Sequence, residues 1–286
     1  MKIYIPQLFR QGVFGGGWQF SHTFAKFAKW AEFVDDPMKA EIYFIAGSSQ
    51  VEDKYEPERA KANGAKIILR IDNALKNSNN RGTGMPRMKK YSGLADLVIY
   101  QSQWARDYLK PFTEKDGPVI LNGVDQSIFK PPKQRLDNVY LYSRSSRDDQ
   151  KGWHRAWYEY QMIQRKNPNA QLWIIGKFSK ENLEYNFDFF NNENWKYLGV
   201  ISNQETMAQI YQDASYLLFT AFGDACSNTL IEALESGMRL VPTYELTTGG
   251  SPEIMDCKDL SAERMVKEYH EEFYELLQKP AERVSG

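Results

Sequence analysis

The chain is poor in cysteine and histidine, with two of the first, Cys226 and Cys257, and three of the second in 286 residues. Two thiols so placed match neither a zinc-ligand spacing nor a disulfide framework. No apolar run reaches the roughly 18 residues needed to span a bilayer. The opening stretch MKIYIPQLFRQG lacks the long apolar segment of a signal peptide. The reading is a cytoplasmic protein with both thiols reduced. Net charge is also scarce, at -1, which argues against a general polyanion binder. The charge is unevenly spread, +4 over residues 1–125 and -5 over the remainder. That pattern suits a solvated surface, and it could also draw in an anionic acceptor. The glycine cluster near the N-terminus does not have the G-x-G-x-x-G spacing, which disfavours a Rossmann dehydrogenase.

What is present is alternation. Short apolar runs at Lys2–Pro6, Glu41–Ala46, Ala65–Asp72, Leu97–Gln101, Val119–Leu121, Asn138–Ser143, Leu172–Gly176, Trp195–Gly199, Tyr216–Thr220 and Arg239–Thr243 read as strands. Amphipathic segments such as Trp18–Trp30 and Arg155–Arg165 lie between them. Alternation of this kind predicts parallel sheets flanked by helices. The segment NGVDQSIFKPPK, starting at Asn122, reads as a connector. The expected parts are therefore a lobe over 1–121, a second α/β lobe over 122–260, and a helix in 261–286. That helix carries Met265, Tyr269, Phe273, Leu276 and Leu277 on one stripe and could pack across both lobes.

Four segments carry chemistry. Gly15, Gly16 and Gly17 follow the first strand and precede a helix. They suit either a close backbone approach to a ligand or a flexible turn. Arg144 ends a strand and Lys151 follows a polar loop, where two cations could neutralise a diphosphate leaving group. A solvated basic loop is the alternative, since Arg147 and Arg155 are also near. In LLFTAFGDACSNTLIEALESG, Asp224 lies in a loop and Glu232 about a turn into a helix. Carboxylates there can accept from sugar or ribose hydroxyls, and the amides of Ala225, Cys226, Ser227 and Asn228 can meet phosphate oxygens. The alternatives are a turn residue for Asp224 and a Thr229–Glu232 capping box. Last, Thr248-Gly-Gly-Ser-Pro-Glu253 combines a glycine pair with a helix start at Pro252.

Taken in order, Arg144 with Lys151-Gly152, the run from Asp224 to Glu232-Ala233, and Gly249-Gly-Ser-Pro-Glu253 resemble the retaining glycosyltransferases of family 4 (glycosyl transferases group 1). Asn122-Gly-Val-Asp125 and Phe129-x-Pro131 resemble that family's interdomain signature. The resemblance is good over about residues 119–255 and weaker before them. It implies an α/β GT-B fold, with two Rossmann-like lobes whose parallel sheets face a central cleft, and here a reduced N-terminal lobe. It implies that Arg144 and Lys151 bind the donor diphosphate, that Glu232 holds the ribose, and that Asp224 contacts the transferred sugar. Phe178, Tyr197 and Gly199 would flank the base, and the Gly15–Gly17 loop would close over donor and acceptor. The implied reaction moves a sugar from a nucleoside diphosphate, UDP- or GDP-linked, to an acceptor hydroxyl with retained configuration. It needs no metal and no cofactor, and no Asp-x-Asp motif is present.

The chain departs from the family in three places. Asp224 stands where Glu is commoner. The loop from Arg144 to Lys151 is longer than usual. The end of the central first-lobe strand reads Arg70-Ile-Asp72-Asn73 in place of a histidine, which gives Asp72 the acceptor-side role. The acceptor is left open among a glycan, a lipid-linked sugar, a protein and modified DNA, and the protein as a monomer or homodimer. A DNA-base glycosyltransferase draws on the loop NSNNRGTGMPRMKK, with Arg81, Arg87, Lys89 and Lys90. A noncatalytic nucleotide-sugar binder draws on Asp224 and the short first lobe.

Overall fold

The computed structural model describes residues 1–10, 16–72, 84–145, 151–177, 194–241 and 244–279. The chain divides into two units. In the first, strands β1 (Lys2–Tyr4), β2 (Glu32–Phe33), β3 (Ile42–Ile45), β4 (Lys66–Ile71) and β5 (Leu97–Tyr100) form one sheet in the order β2-β1-β3-β4-β5. Every pairing is parallel. Helices α1 (Gly16–Phe27), α2 (Glu56–Ala62) and α3 (Gly84–Leu94) lie between them, and α4 (Gln103–Thr113) follows β5. All four residues of β3 are fully buried, as a parallel strand covered on both faces requires.

The second unit runs from Val124 to Leu260. Its strands are β6 (Val139–Ser145), β7 (Gln171–Gly176), β8 (Trp195–Gly199), β9 (Tyr216–Leu218) and β10 (Arg239–Val241), in the order β10-β9-β6-β7-β8. These too are all parallel. Its helices are α5 (Trp153–Lys166), α6 (Gln204–Asp213), α7 (Asn228–Glu235) and α8 (Ser251–Asp256). Trp153, Trp157 and Tyr160 of α5 pack on Tyr142, Leu172 and Ile174 of the sheet. Helix starts follow the sequence: Asn203 and Ser227 accept from the amides of Thr206 and Leu230, which satisfies donors the helix itself leaves open.

The C-terminal helix α9 (Ala262–Gln278) belongs to the first unit. Its predicted stripe is buried against α1 and β3: ring centroids lie 5.4 Å apart for Phe24 and Tyr269 and 5.1 Å for Phe44 and Phe273. Arg264 ties it to the start of the connector, donating to the carbonyls of Leu121 and Asn122, both at 2.9 Å. A Cβ on Gly123 would lie 2.2 Å from the Ser261 carbonyl oxygen. Only glycine fits where the chain leaves the first unit and later returns to it. Phe273 is fully buried among aromatic rings, so Phe273→Ala should destabilise the unit by about 3–5 kcal/mol. Urea denaturation measures this, and a loss below about 1 kcal/mol would remove α9 from the core.

Three details differ from the sequence reading. Helix α1 stops at Phe27, and residues 28–31 turn the chain into the two-residue strand β2, too short to show a period. Val119–Leu121 is reduced to one parallel bridge, Tyr100 to Val119. Strands β1 and β9 end two residues earlier than read. Among the described residues, no helix is long and apolar enough to cross a membrane.

Candidate functional site

The second sheet begins at β6, continues to β7 and β8 on one side, and then crosses to β9 and β10 on the other. The connections leaving β6 and β9 therefore diverge, and a crevice opens at the carboxyl ends of these two strands. Ligands of open α/β sheets bind at such switch points. Lys151 follows β6 and Asp224 follows β9, and the structure brings them together with Nζ 3.4 Å from Oδ2. Both side chains are mostly buried, at 26% and 15% exposure.

Backbone contacts fix the two loops. Gly152, the N-cap of α5, has φ +71°. A Cβ there would lie 2.0 Å from the Thr220 carbonyl oxygen. Thr220 Oγ1 donates to the Gly152 carbonyl at 2.9 Å. Arg155 donates to the Thr220 carbonyl at 2.8 Å and pairs with the buried Glu245 at 2.8 Å. Gly152→Ala combines a left-handed φ with a backbone overlap. It should cost about 3 kcal/mol or more of stability and displace Lys151. Thermal melting with an activity assay measures both, and a wild-type melting temperature would contradict the geometry.

Asp224 is held from the other side. Its carbonyl accepts from Gly250 at 2.9 Å, and the Gly223 amide donates to Thr248 Oγ1 at 3.3 Å. Gly249, at φ +61°, is pressed so close that a Cβ would lie 2.4 Å from the Asp224 carbonyl oxygen. Gly249 is thus closed against the acidic loop. The contacts of Gly152, Thr220 and Thr248 are not legible in the sequence, because a left-handed φ or a hydroxyl bond across distant segments leaves no local pattern.

Helix α7 settles one alternative. Its N-cap is Ser227, whose Oγ accepts from Leu230 at 3.4 Å. Thr229 is therefore inside the helix, and no Thr229–Glu232 capping box exists. Glu232 is 6% exposed, a burial that a carboxylate carries only with polar partners. Ala225, Cys226 and Ser227 are buried and Asn228 half-buried at the same helix start, whose dipole favours an anion.

Arg144 lies in β6 near its carboxyl end; its side chain, with Arg147 and Phe178, lies outside the described residues. Tyr197 in β8 is 44% exposed and donates to the carbonyl of Gly176, at the end of β7, at 2.7 Å. Gly199 ends β8 with φ +76° and open space where a Cβ would be.

The remaining predicted residues belong to the first unit. Gly16 and Gly17 open α1, and Gly15 lies outside the described residues. Asp72 directly follows β4. Beside it, Arg70 is 3% exposed. It donates to Ala46 O (2.8 Å), Gln101 Oε1 (2.8 Å) and Asn122 Oδ1 (2.9 Å), and lies 3.8 Å over the Phe20 ring. This network joins the ends of β3, β4 and β5. Of the cations once open to a nucleic acid, Lys89 pairs with Glu114 and Lys90 with Glu58, each at 2.7 Å; Arg81 lies outside the described residues.

Comparison with known proteins adds to this geometry. Residues 138–279 match the family described as glycosyl transferases group 1. No curated protein sequence matches the chain. Among solved structures, the Anabaena protein Alr3699/HepE, in complex with UDP, has a TM-score of 0.64 at 13% identity, covering 96% of this chain and 90% of that one. AviGT4, a glycosyltransferase involved in avilamycin A biosynthesis, has a TM-score of 0.66 at 12% identity, covering 98% of both chains. The pneumococcal O-GlcNAc transferase GtfA, in complex with UDP and GlcNAc, has a TM-score of 0.61 at 11% identity, covering 95% of this chain and 62% of that one. At such identities the likeness is one of fold.

Proposed function

Residues 138–279 match the glycosyl transferases group 1 family in a chain of GT-B fold, and from that premise we propose that the protein moves a sugar from a nucleoside diphosphate to an acceptor hydroxyl. The observation that carries this reading is the meeting of Lys151 and Asp224 at the switch point between β6 and β9. A cation and a carboxylate side by side suit a donor that is anionic at one end and hydroxylated at the other. Two of the similar structures hold UDP, which supports a uridine donor ahead of a guanosine one.

In this reading Lys151 and Arg144 receive the diphosphate, aided by the amides at the start of α7, from Ala225 to Asn228. Glu232 accepts from the ribose hydroxyls, and Asp224 from hydroxyls of the transferred sugar. The base rests against Tyr197 and Gly199, with Phe178 contributing from the following loop. The bond between the anomeric carbon and the phosphate oxygen breaks, and the acceptor oxygen forms the new bond with configuration retained. The acceptor proton passes to the departing phosphate. Protein cations offset the developing charge, so the reading assigns no metal and no cofactor. It places the reaction in the cytoplasm, by a monomer or homodimer.

A thermal-shift panel of UDP, GDP and their sugar conjugates tests the donor. A ligand at 100 times its dissociation constant adds about 2.7 kcal/mol of stability. The reading predicts a clear shift with one nucleotide family and slow release of free sugar from its conjugate. No shift with any nucleotide would contradict it. A shift without hydrolysis or transfer would indicate a binding protein without catalysis.

A further inference from the structure

The second unit holds a cavity of about 240 Å³ that shares no lining residue with the Lys151–Asp224 pair or with Glu232. Among the described residues, three segments meet there. Helix α5 supplies His154, Arg155, Tyr158 and Glu159, Thr220 follows β9, and Glu245 belongs to the short helical turn Tyr244–Thr247 after β10. Arg155 joins the three. Its Nη2 donates to the Thr220 carbonyl at 2.8 Å, and its Nε pairs with Glu245 Oε1 at 2.8 Å. The Glu245 carboxylate is buried, whereas the Arg155 side chain is 46% exposed. A guanidinium carries five N–H donors. These two contacts leave others for a ligand.

Aromatic rings accompany this pair. Tyr158 in the lining is 61% exposed, and beside the lining residues Phe222 is 42% and Tyr244 71% exposed. Phe222 and Tyr244 stack with centroids 6.4 Å apart and planes 22° from parallel. The Arg155 guanidinium carbon lies 6.0 Å from the Phe222 centroid. Single exposed rings are ordinary on a surface, but rings from three distant segments around one polar cavity suit a ligand. Charge and size select which. Arg155 already faces the Phe222 ring and would repel a ligand cation. Its charge is matched by Glu245, and Glu159 adds another acid to the lining, so a phosphate meets no net positive field. A neutral sugar ring fits both conditions. Its C–H face lies on an aromatic ring, and its hydroxyls meet the guanidinium and the acids. The volume suits one such ring and is too small for a nucleotide.

We propose that this cavity binds a neutral sugar ring, one unit of a glycan held outside the reacting centre, with Arg155 meeting its hydroxyls and the exposed faces of Tyr158 and Tyr244 meeting its C–H groups. The site stands apart from the transferase reading and requires no bound nucleotide. Two variants of the full chain test it. Tyr158→Ala and Tyr244→Ala each remove an exposed ring, and surface changes of this kind leave the fold in place. Arg155 stays unaltered, because it also holds the Thr220 carbonyl.

The readout is the imidazole NMR spectrum of the chain with isotope-labelled histidine. There are three histidines. His154 lies in the cavity lining, while His22 and His270 lie on α1 and α9 of the first unit. The probes are the neutral methyl glycosides of glucose, galactose and mannose, against glucose 1-phosphate and tetramethylammonium. At least one neutral glycoside should shift the His154 resonance and leave His22 and His270 in place. Its affinity should fall about three- to tenfold in each tyrosine variant. The melting temperatures of the variants and their affinities for UDP and GDP should match those of the unaltered protein. No movement of His154 with any glycoside, an affinity unchanged in both variants, or a stronger response to either charged probe would overturn the proposal. So would a glycoside that moves His22 instead, which would place the sugar in the first unit. Loss of nucleotide binding in the tyrosine variants would merge the cavity with the donor site and overturn it equally.

Discussion

Glu232→Gln should lower affinity for the donor nucleotide by about two orders of magnitude while the protein stays folded. Hydrogen bonds to a charged acceptor contribute about 1.5–3 kcal/mol each. Loss of the charge at two ribose hydroxyls therefore amounts to about 3 kcal/mol, which is somewhat more than a hundredfold. Helix α7 does not depend on this side chain, since Ser227 caps it. The glutamine is nearly isosteric and keeps an acceptor oxygen, so the core around position 232 is undisturbed. Titration calorimetry with UDP or GDP reads the effect. An affinity within threefold of wild type would place the ribose elsewhere.

On the proposed reading, Lys151→Met should act on the reaction more than on binding. Charge grows on the diphosphate as the glycosidic bond breaks, so an ammonium beside it stabilises the transition state above the ground state. Removing one such group should lower kcat by about 10²–10³, with a smaller change in KM. The loss is sharpened by Asp224, which is 15% exposed and would no longer have the ammonium that now lies 3.4 Å away. Lys151→Arg should rescue little, because the loop is locked by Gly152 against Thr220 and the longer fork does not reproduce a compact ammonium. Rapid-quench measurement of sugar transfer or donor hydrolysis checks both variants. A kcat near wild type in Lys151→Met would take this lysine out of the chemistry.

Much of this architecture is legible in the residues. Runs such as Ile42–Ile45 and Leu172–Gly176 are apolar because parallel strands are covered on both faces. The stripe of Met265, Tyr269 and Phe273 marks a helix with one buried side. A stripe names a face and not a partner, however. That α9 joins the first unit is set by rings on α1 and β3, far away in sequence. The segment from Asp224 to Glu232 shows its strand–loop–helix setting, yet Thr229–Glu232 equally spells a capping box. Only the position of Ser227 decides between them. The contacts that fix the site, Gly152 on Thr220 and Gly249 on Asp224, depend on backbone angles and distant carbonyls, which no spacing encodes.

The most direct test is a crystal structure with UDP or GDP, whichever stabilises the protein more. A phosphate oxygen should lie within about 2.7–2.9 Å of Lys151 Nζ, with the ribose hydroxyls on the Glu232 carboxylate at the carboxyl ends of β6 and β9. A nucleotide bound away from that crevice, with Lys151 still on Asp224 and Glu232 untouched, would contradict the account.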